Sequence, residues 1–161
     1  CRKFLNTERI DVVQLVYSIL RQKLRPFIDE AYESGVGVIA RTTLESGLLT
    51  GKYPAGHRFV GLDHRRRYDP EKLDFILEKV GEIGTDVFEE GGLDLPYQTL
   101  AQTAVKFAMV PKGVSTVITG ASTLEQISEN LAVAALPEMP FEAAGFLIRK
   151  YGDITEKANF E

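Results

Sequence analysis

Groups that could hold a phosphate are concentrated in one run, Val114-Ser115-Thr116-Val117-Ile118-Thr119-Gly120-Ala121-Ser122-Thr123-Leu124-Glu125-Gln126-Ile127-Ser128-Glu129-Asn130-Leu131. Its first residues are β-branched or small and read as a strand. Gly120 lets the backbone turn, and Ser122 or Thr123 can then accept a hydrogen bond from the first amides of a helix. Both hydroxyls satisfy the capping-box spacing, Ser122 with Glu125 and Thr123 with Gln126. Amides at a helix start, backed by the helix dipole, suit an anion. The same pattern also builds an ordinary strand-to-helix connection with a good cap.

A second glycine-rich stretch, Ser46-Gly47-Leu48-Leu49-Thr50-Gly51-Lys52-Tyr53, invites comparison with the nucleoside-triphosphate P-loop and fails it. Ser46 stands where the first glycine is required, Tyr53 follows the lysine, and no helical pattern comes next. Gly35 and Gly37 precede a strand instead of following one, which excludes a Rossmann fingerprint. Two polar residues interrupt apolar runs. Gln14 sits in mid-strand, where a buried amide must find a partner or turn to water, and Arg41 ends the next strand. His57 and His64 lie in a long loop and read as solvated, as does the basic cluster His64-Arg65-Arg66-Arg67 with its acidic neighbours. No spacing of His, Cys and carboxylates suggests a metal.

Three apolar segments must position these groups: Val12 to Tyr17, Val36 to Ala40 and Val114 to Thr119 read as buried strands. After the first, Leu24, Phe27, Ile28 and Ala31 fall on one helix face that closes at Gly35. Strand, helix and strand in that order form a βαβ unit with parallel strands and a right-handed crossover. Residues 42–68 form a long loop. Asp69 and Pro70 then start a helix with Leu73, Ile76, Val80, Ile83 and Val87 on one face, weakened at Gly81 and Gly84. A further helix carries Leu100, Ala104, Phe107 and Ala108. Residues 137–161 form a tail with an amphipathic piece, Phe141 to Tyr151, packed across the body, and a loose polar end.

The chain of 161 residues is 44% hydrophobic and 26% charged with net charge −4, the profile of one soluble globular domain. No basic excess points to nucleic acid, and no apolar stretch approaches the ~20 residues of a membrane span. One cysteine, Cys1, cannot form an internal disulfide, which implies a reducing compartment. Three parallel strands leave two open edges, and the chain begins Cys-Arg-Lys without Met, so the expectation is a fragment.

The run from Val114 to Leu131 resembles the eighth strand and following helix of the aldo-keto reductases. Asp11-Val12-Val13-Gln14-Leu15-Val16-Tyr17-Ser18-Ile19-Leu20 resembles their sixth strand, and Gly35 to Tyr53 their seventh strand and its loop. The resemblance covers residues 2–136. It implies an α/β fold, the last three βα units of a (β/α)8 TIM barrel plus the C-terminal tail, and a cytoplasmic NADP-dependent oxidoreductase that reduces a small-molecule aldehyde or ketone. NAD remains the alternative cofactor, because some members carry Lys and Arg where this chain has Gly120 and Gln126.

By the same resemblance Gln14 meets the nicotinamide carboxamide, and Arg41 stands where many members place a stacking aromatic ring. Thr42, Leu44, Ser46, Gly47 and Lys52 then wrap the pyrophosphate. Gly120, Ala121 and Ser122 form the 2′-phosphate turn, and Gln126, Glu129 and Asn130 face the adenine. The family's catalytic Asp, Tyr, Lys and His come from strands that would precede residue 1, so no catalytic residue is assigned. The other implied reading is a non-catalytic NADP(H)-binding or regulatory module of the same fold.

Overall fold

Runs of β-branched and small residues form three strands, β1 (Val12–Val16), β2 (Gly37–Arg41) and β3 (Val114–Val117), paired in the order β1-β2-β3 and all parallel. The computed structural model describes residues 2–5, 7, 9–152 and 154. The readings of Cys1 and of the polar end from residue 155 lie outside them. The parallel order follows from the helices in the connections, α2 (Arg25–Glu33) between β1 and β2, and α3 (Pro70–Phe88) and α4 (Leu100–Ala108) between β2 and β3. The register is Val12 opposite Gly37 through Val16 opposite Arg41, and Ile39 opposite Thr116 after a one-residue shift at Val38.

Strand alternation decides what is buried. Leu15, Val38 and Ala40 are buried on the face covered by helices, whereas Val12, Gln14 and Arg41 are exposed on the other. The continuous apolar runs predict strands hidden on both faces. Among the described residues one face is open, with Val12, Gln14 and Arg41 exposed on it.

On the covered face α2 buries Phe27, Ile28 and Ala31, with Leu24 as its N-cap residue. Asp69 caps α3 by accepting from the Glu71 and Lys72 amides, and Pro70 opens it. The helix runs unbroken through Gly81 and Gly84, because Leu73, Ile76, Leu77, Val80, Ile83 and Val87 bury one side along its length. The Phe107 ring of α4 stacks on Tyr17 with centroids 5.7 Å apart. Helix α5 (Leu124–Ala132) follows β3, and α6 (Phe141–Tyr151) crosses onto α3, where Tyr151 Oη and Lys150 Nζ both donate to Asp86. A four-residue helix, α1 (Arg2–Leu5), precedes β1. The long loop at 42–68 is partly ordered by two 3-10 turns, Glu45–Thr50 and His64–Arg67.

Candidate functional site

Parallel strands deliver their following loops to one edge of the sheet, and the candidate residues gather there or on the open face beside it. Gln14 is opposite Ile39, and Val16, two residues on, is opposite Arg41, so Gln14 and Arg41 share the open face. Both are exposed, which makes Gln14 a strand-face glutamine directed away from the core. The Arg41 guanidinium donates to Thr42 Oγ1 at 3.4 Å.

Beyond Arg41 the backbone takes an unusual path. Thr42 (φ 62°), Glu45 (φ 47°) and Ser46 (φ 54°) are left-handed, and among the described residues they are the non-glycine positions that are. Gly47 (φ 86°) continues the bend without penalty. The Leu44 carbonyl accepts from the Gly47 and Leu49 amides at 2.8 and 3.1 Å, and Thr50 Oγ1 donates to the Gly47 carbonyl at 2.7 Å. Lys52 is exposed just past the turn. Thr42, Leu44, Ser46 and Gly47 thus belong to one tight bend, and Lys52 follows it.

At β3 the cap alternatives resolve in favour of Thr123, whose Oγ1 accepts from the Gln126 amide at 3.2 Å. Gln126 Oε1 in turn accepts from the Ser122 amide at 2.7 Å. Ser122 therefore lies one residue before the cap, and Gln126 is engaged in it. Gly120 does not use glycine's freedom: its φ is not positive, and a Cβ there would meet nothing within 4 Å. Its carbonyl accepts from Asn130 Nδ2 at 3.5 Å. Ala121, Ser122 and Glu129 are exposed.

A family model described as the aldo/keto reductase family matches residues 5–144. The chain belongs to this family. It is 35% identical over 109 residues to a probable voltage-gated potassium channel subunit beta from Arabidopsis thaliana, covering 64% of this chain and 31% of that protein. It is 33% identical over 119 residues to the L-glyceraldehyde 3-phosphate reductase of Escherichia coli O157:H7, covering 71% and 32%. Among solved structures it resembles an aldo-keto reductase from Bacillus halodurans in its holo form, with TM-score 0.68, 19% identity and coverage of 92% of this chain and 43% of that one. The chain spans about a third of the length of the curated relatives it matches.

In this aldo/keto reductase chain several partners of the loop are not apparent from motif spacing. Glu45 is only 1% exposed, and its carboxylate accepts from Ser18 Oγ at 2.6 Å and from Arg21 Nε at 2.9 Å. Burial pushes this carboxyl up, and Arg21 and Ser18 oppose the shift. The one available signal was a glutamate set among Leu44, Leu48 and Leu49. Arg65 and His57 are not the solvated loop residues expected. The Arg65 guanidinium lies 4.1 Å from the Phe59 ring and 4.8 Å from Tyr53, and donates to the Ser46 carbonyl at 3.1 Å. His57 packs 4.8 Å from Tyr53 and 4.7 Å from Phe59. The paired Asp63 carboxyl is held down at about 2 by its bonds from Arg65. Among the described residues no group of three His, Cys, Asp or Glu could hold a metal ion, and no helix is long and apolar enough to cross a membrane.

Proposed function

We propose that the chain is the last three βα units and tail of a (β/α)8 barrel, and that the whole cytoplasmic protein reduces an aldehyde or ketone with NADPH. The observation that carries this reading is the gathering of phosphate-compatible groups at the edge where the strands deliver their loops, the edge that holds active sites in such barrels. Arg41 and Lys52 supply positive charge, Ser46 and Ser122 supply hydroxyls, and the left-handed bend from Glu45 to Gly47 turns the backbone within the same loop. That donor set fits a pyrophosphate-linked dinucleotide. Gln14, exposed on the open face, can both donate to and accept from a carboxamide.

When bound, the nicotinamide supplies a hydride. The chain's own residues would bind and orient it. Gln14 fixes the carboxamide, and Thr42, Leu44, Ser46, Gly47 and Lys52 hold the pyrophosphate. Arg41 disfavours an oxidised, positive ring at close range. Gly120, Ala121 and Ser122 face the 2′-phosphate, with Gln126, Glu129 and Asn130 on the adenine side. A phosphate using the Ser122 amide must displace Gln126 Oε1 from it, and the turn carries no Lys or Arg, so NAD is the competing cofactor.

Two measurements test the reading. Ser122→Asp places a carboxylate against the phosphate and weakens NADPH binding by about 1 kcal/mol or more in a fluorescence titration of the whole protein. Unchanged affinity removes the turn from the site. None of these residues is a proton donor suited to a carbonyl, so the 161-residue chain alone is expected to oxidise no NADPH with an aldehyde present. Turnover proportional to this chain's concentration overturns that assignment. The regulatory reading is favoured by the similarity to the Arabidopsis channel subunit, and tight NADPH binding without turnover by the whole protein would select it.

A further inference from the structure

The buried Glu45 carboxylate has no place in contacting a dinucleotide, yet it ties together the two loops on which that reading depends. Its partners, Ser18 and Arg21, lie in the turn after β1 and are joined to each other by reciprocal backbone bonds, Ser18 N to Arg21 O at 3.3 Å and Arg21 N to Ser18 O at 3.1 Å. Glu45 therefore fastens the loop after β2 to a hydrogen-bonded turn after β1. A buried ion pair is a poor source of stability, since apolar residues of the same volume serve as well. What it supplies is direction.

Direction is what this loop lacks on its own account. Thr42, Glu45 and Ser46 all occupy the left-handed region, which L residues adopt only when the surroundings impose it. From the solvent side Arg65 grips the Ser46 carbonyl, and from the core side Ser18 and Arg21 grip the Glu45 side chain. The Glu45 side chain and the Ser46 carbonyl are thus each held by a separate segment at the centre of the bend.

We propose that Glu45 is a positioning residue: through Ser18 and Arg21 it holds the backbone of residues 43–47 in the bent form that receives the cofactor pyrophosphate, without touching the cofactor. This rests on the dinucleotide reading given above. It implies that losing the tether weakens ligands that reach the loop and spares those that reach only the turn at Ser122.

The test compares NADPH with adenosine 2′-monophosphate, which lacks the pyrophosphate, in calorimetric titrations of the whole protein. Glu45→Ala is expected to weaken NADPH about tenfold or more and to leave adenosine 2′-monophosphate within about twofold. Ser18→Ala, which removes one bond and keeps the ion pair, is expected to weaken NADPH by a smaller factor and is read in its place if Glu45→Ala does not fold. Parallel loss of both ligands overturns the positioning role, as a general structural effect would produce it. Unchanged NADPH affinity in both tether variants, with Lys52→Ala and Ser122→Asp weakened, overturns the tether and leaves the cofactor reading standing. Unchanged affinity in all four overturns both.

Discussion

Helices α4 and α5 begin with the same chemistry and end in opposite environments. In α4, Thr99 accepts from the Gln102 amide at 3.2 Å and Gln102 Oε1 accepts from the Gln98 amide at 2.7 Å. In α5, Thr123 and Gln126 repeat those two bonds at the same distances, with Ser122 in place of Gln98. Both helices are nine residues long. Yet α4 buries Leu100 and every residue from Thr103 to Ala108, while α5 buries none and leaves Leu124 82%, Ile127 45% and Leu131 71% exposed. A cap sets where a helix starts; burial is set by what stands opposite. Both caps lie in the open, yet only that of α4 starts a core helix.

If that contrast is right, stability should be distributed unequally between the two. The largest expected effect is Phe107→Ala, which empties a fully buried site against Tyr17 and should cost about 3–5 kcal/mol in urea unfolding. Leu124→Ala on the exposed face of α5 should change stability by no more than about 0.5 kcal/mol. Equal losses from the two would mean that α5 is packed in solution.

Next in size is Val133→Ala. Val133, 3% exposed, follows α5 directly, and near it Lys106 of α4 donates to the Leu136 carbonyl. Removing two buried methyl groups there should cost about 2 kcal/mol, which would show that the segment directly after α5 is anchored in the core. The smallest effect separates the caps themselves. Thr99→Ala should lower global stability by about 1 kcal/mol. Thr123→Ala should appear instead as faster amide exchange in the first turn of α5, with global stability nearly unchanged. A full global cost at Thr123 would break the comparison.

The elements were legible in the sequence because their signals are local. Val12 to Val16 is a Val-rich apolar run, Asp69 and Pro70 mark a helix start, and the apolar spacing of α3 predicts its buried face across two glycines, with Leu77 added by the fold. The parallel order followed from the intervening helices. Which strand face is covered was not legible, because that depends on a layer no residue of the strand specifies; Val12 reads as buried and is exposed, and of the two readings open for Gln14 the fold takes the exposed one. At the candidate site the loop and turn were recognised as segments, and their supports were not. Glu45 meets partners 24 and 27 residues away, and Arg65 reaches back 19 residues to Ser46, so each looks like an ordinary charged residue in its own neighbourhood. Gly120 misled in the other direction, as a glycine whose conformational freedom the fold does not use.

The uncovered face of the three-stranded sheet has a consequence in the arithmetic of closure. Copies joined from the β3 edge of one to the β1 edge of the next keep all strands parallel and make a head-to-tail contact, which either closes into a ring or grows without end. A (β/α)8 barrel closes at eight strands, and three does not divide eight. No number of copies of this sheet can therefore complete that barrel in register. Under the barrel reading proposed above, the face bearing Gln14 and Arg41 would line the barrel beside strands that copies of this sheet do not supply.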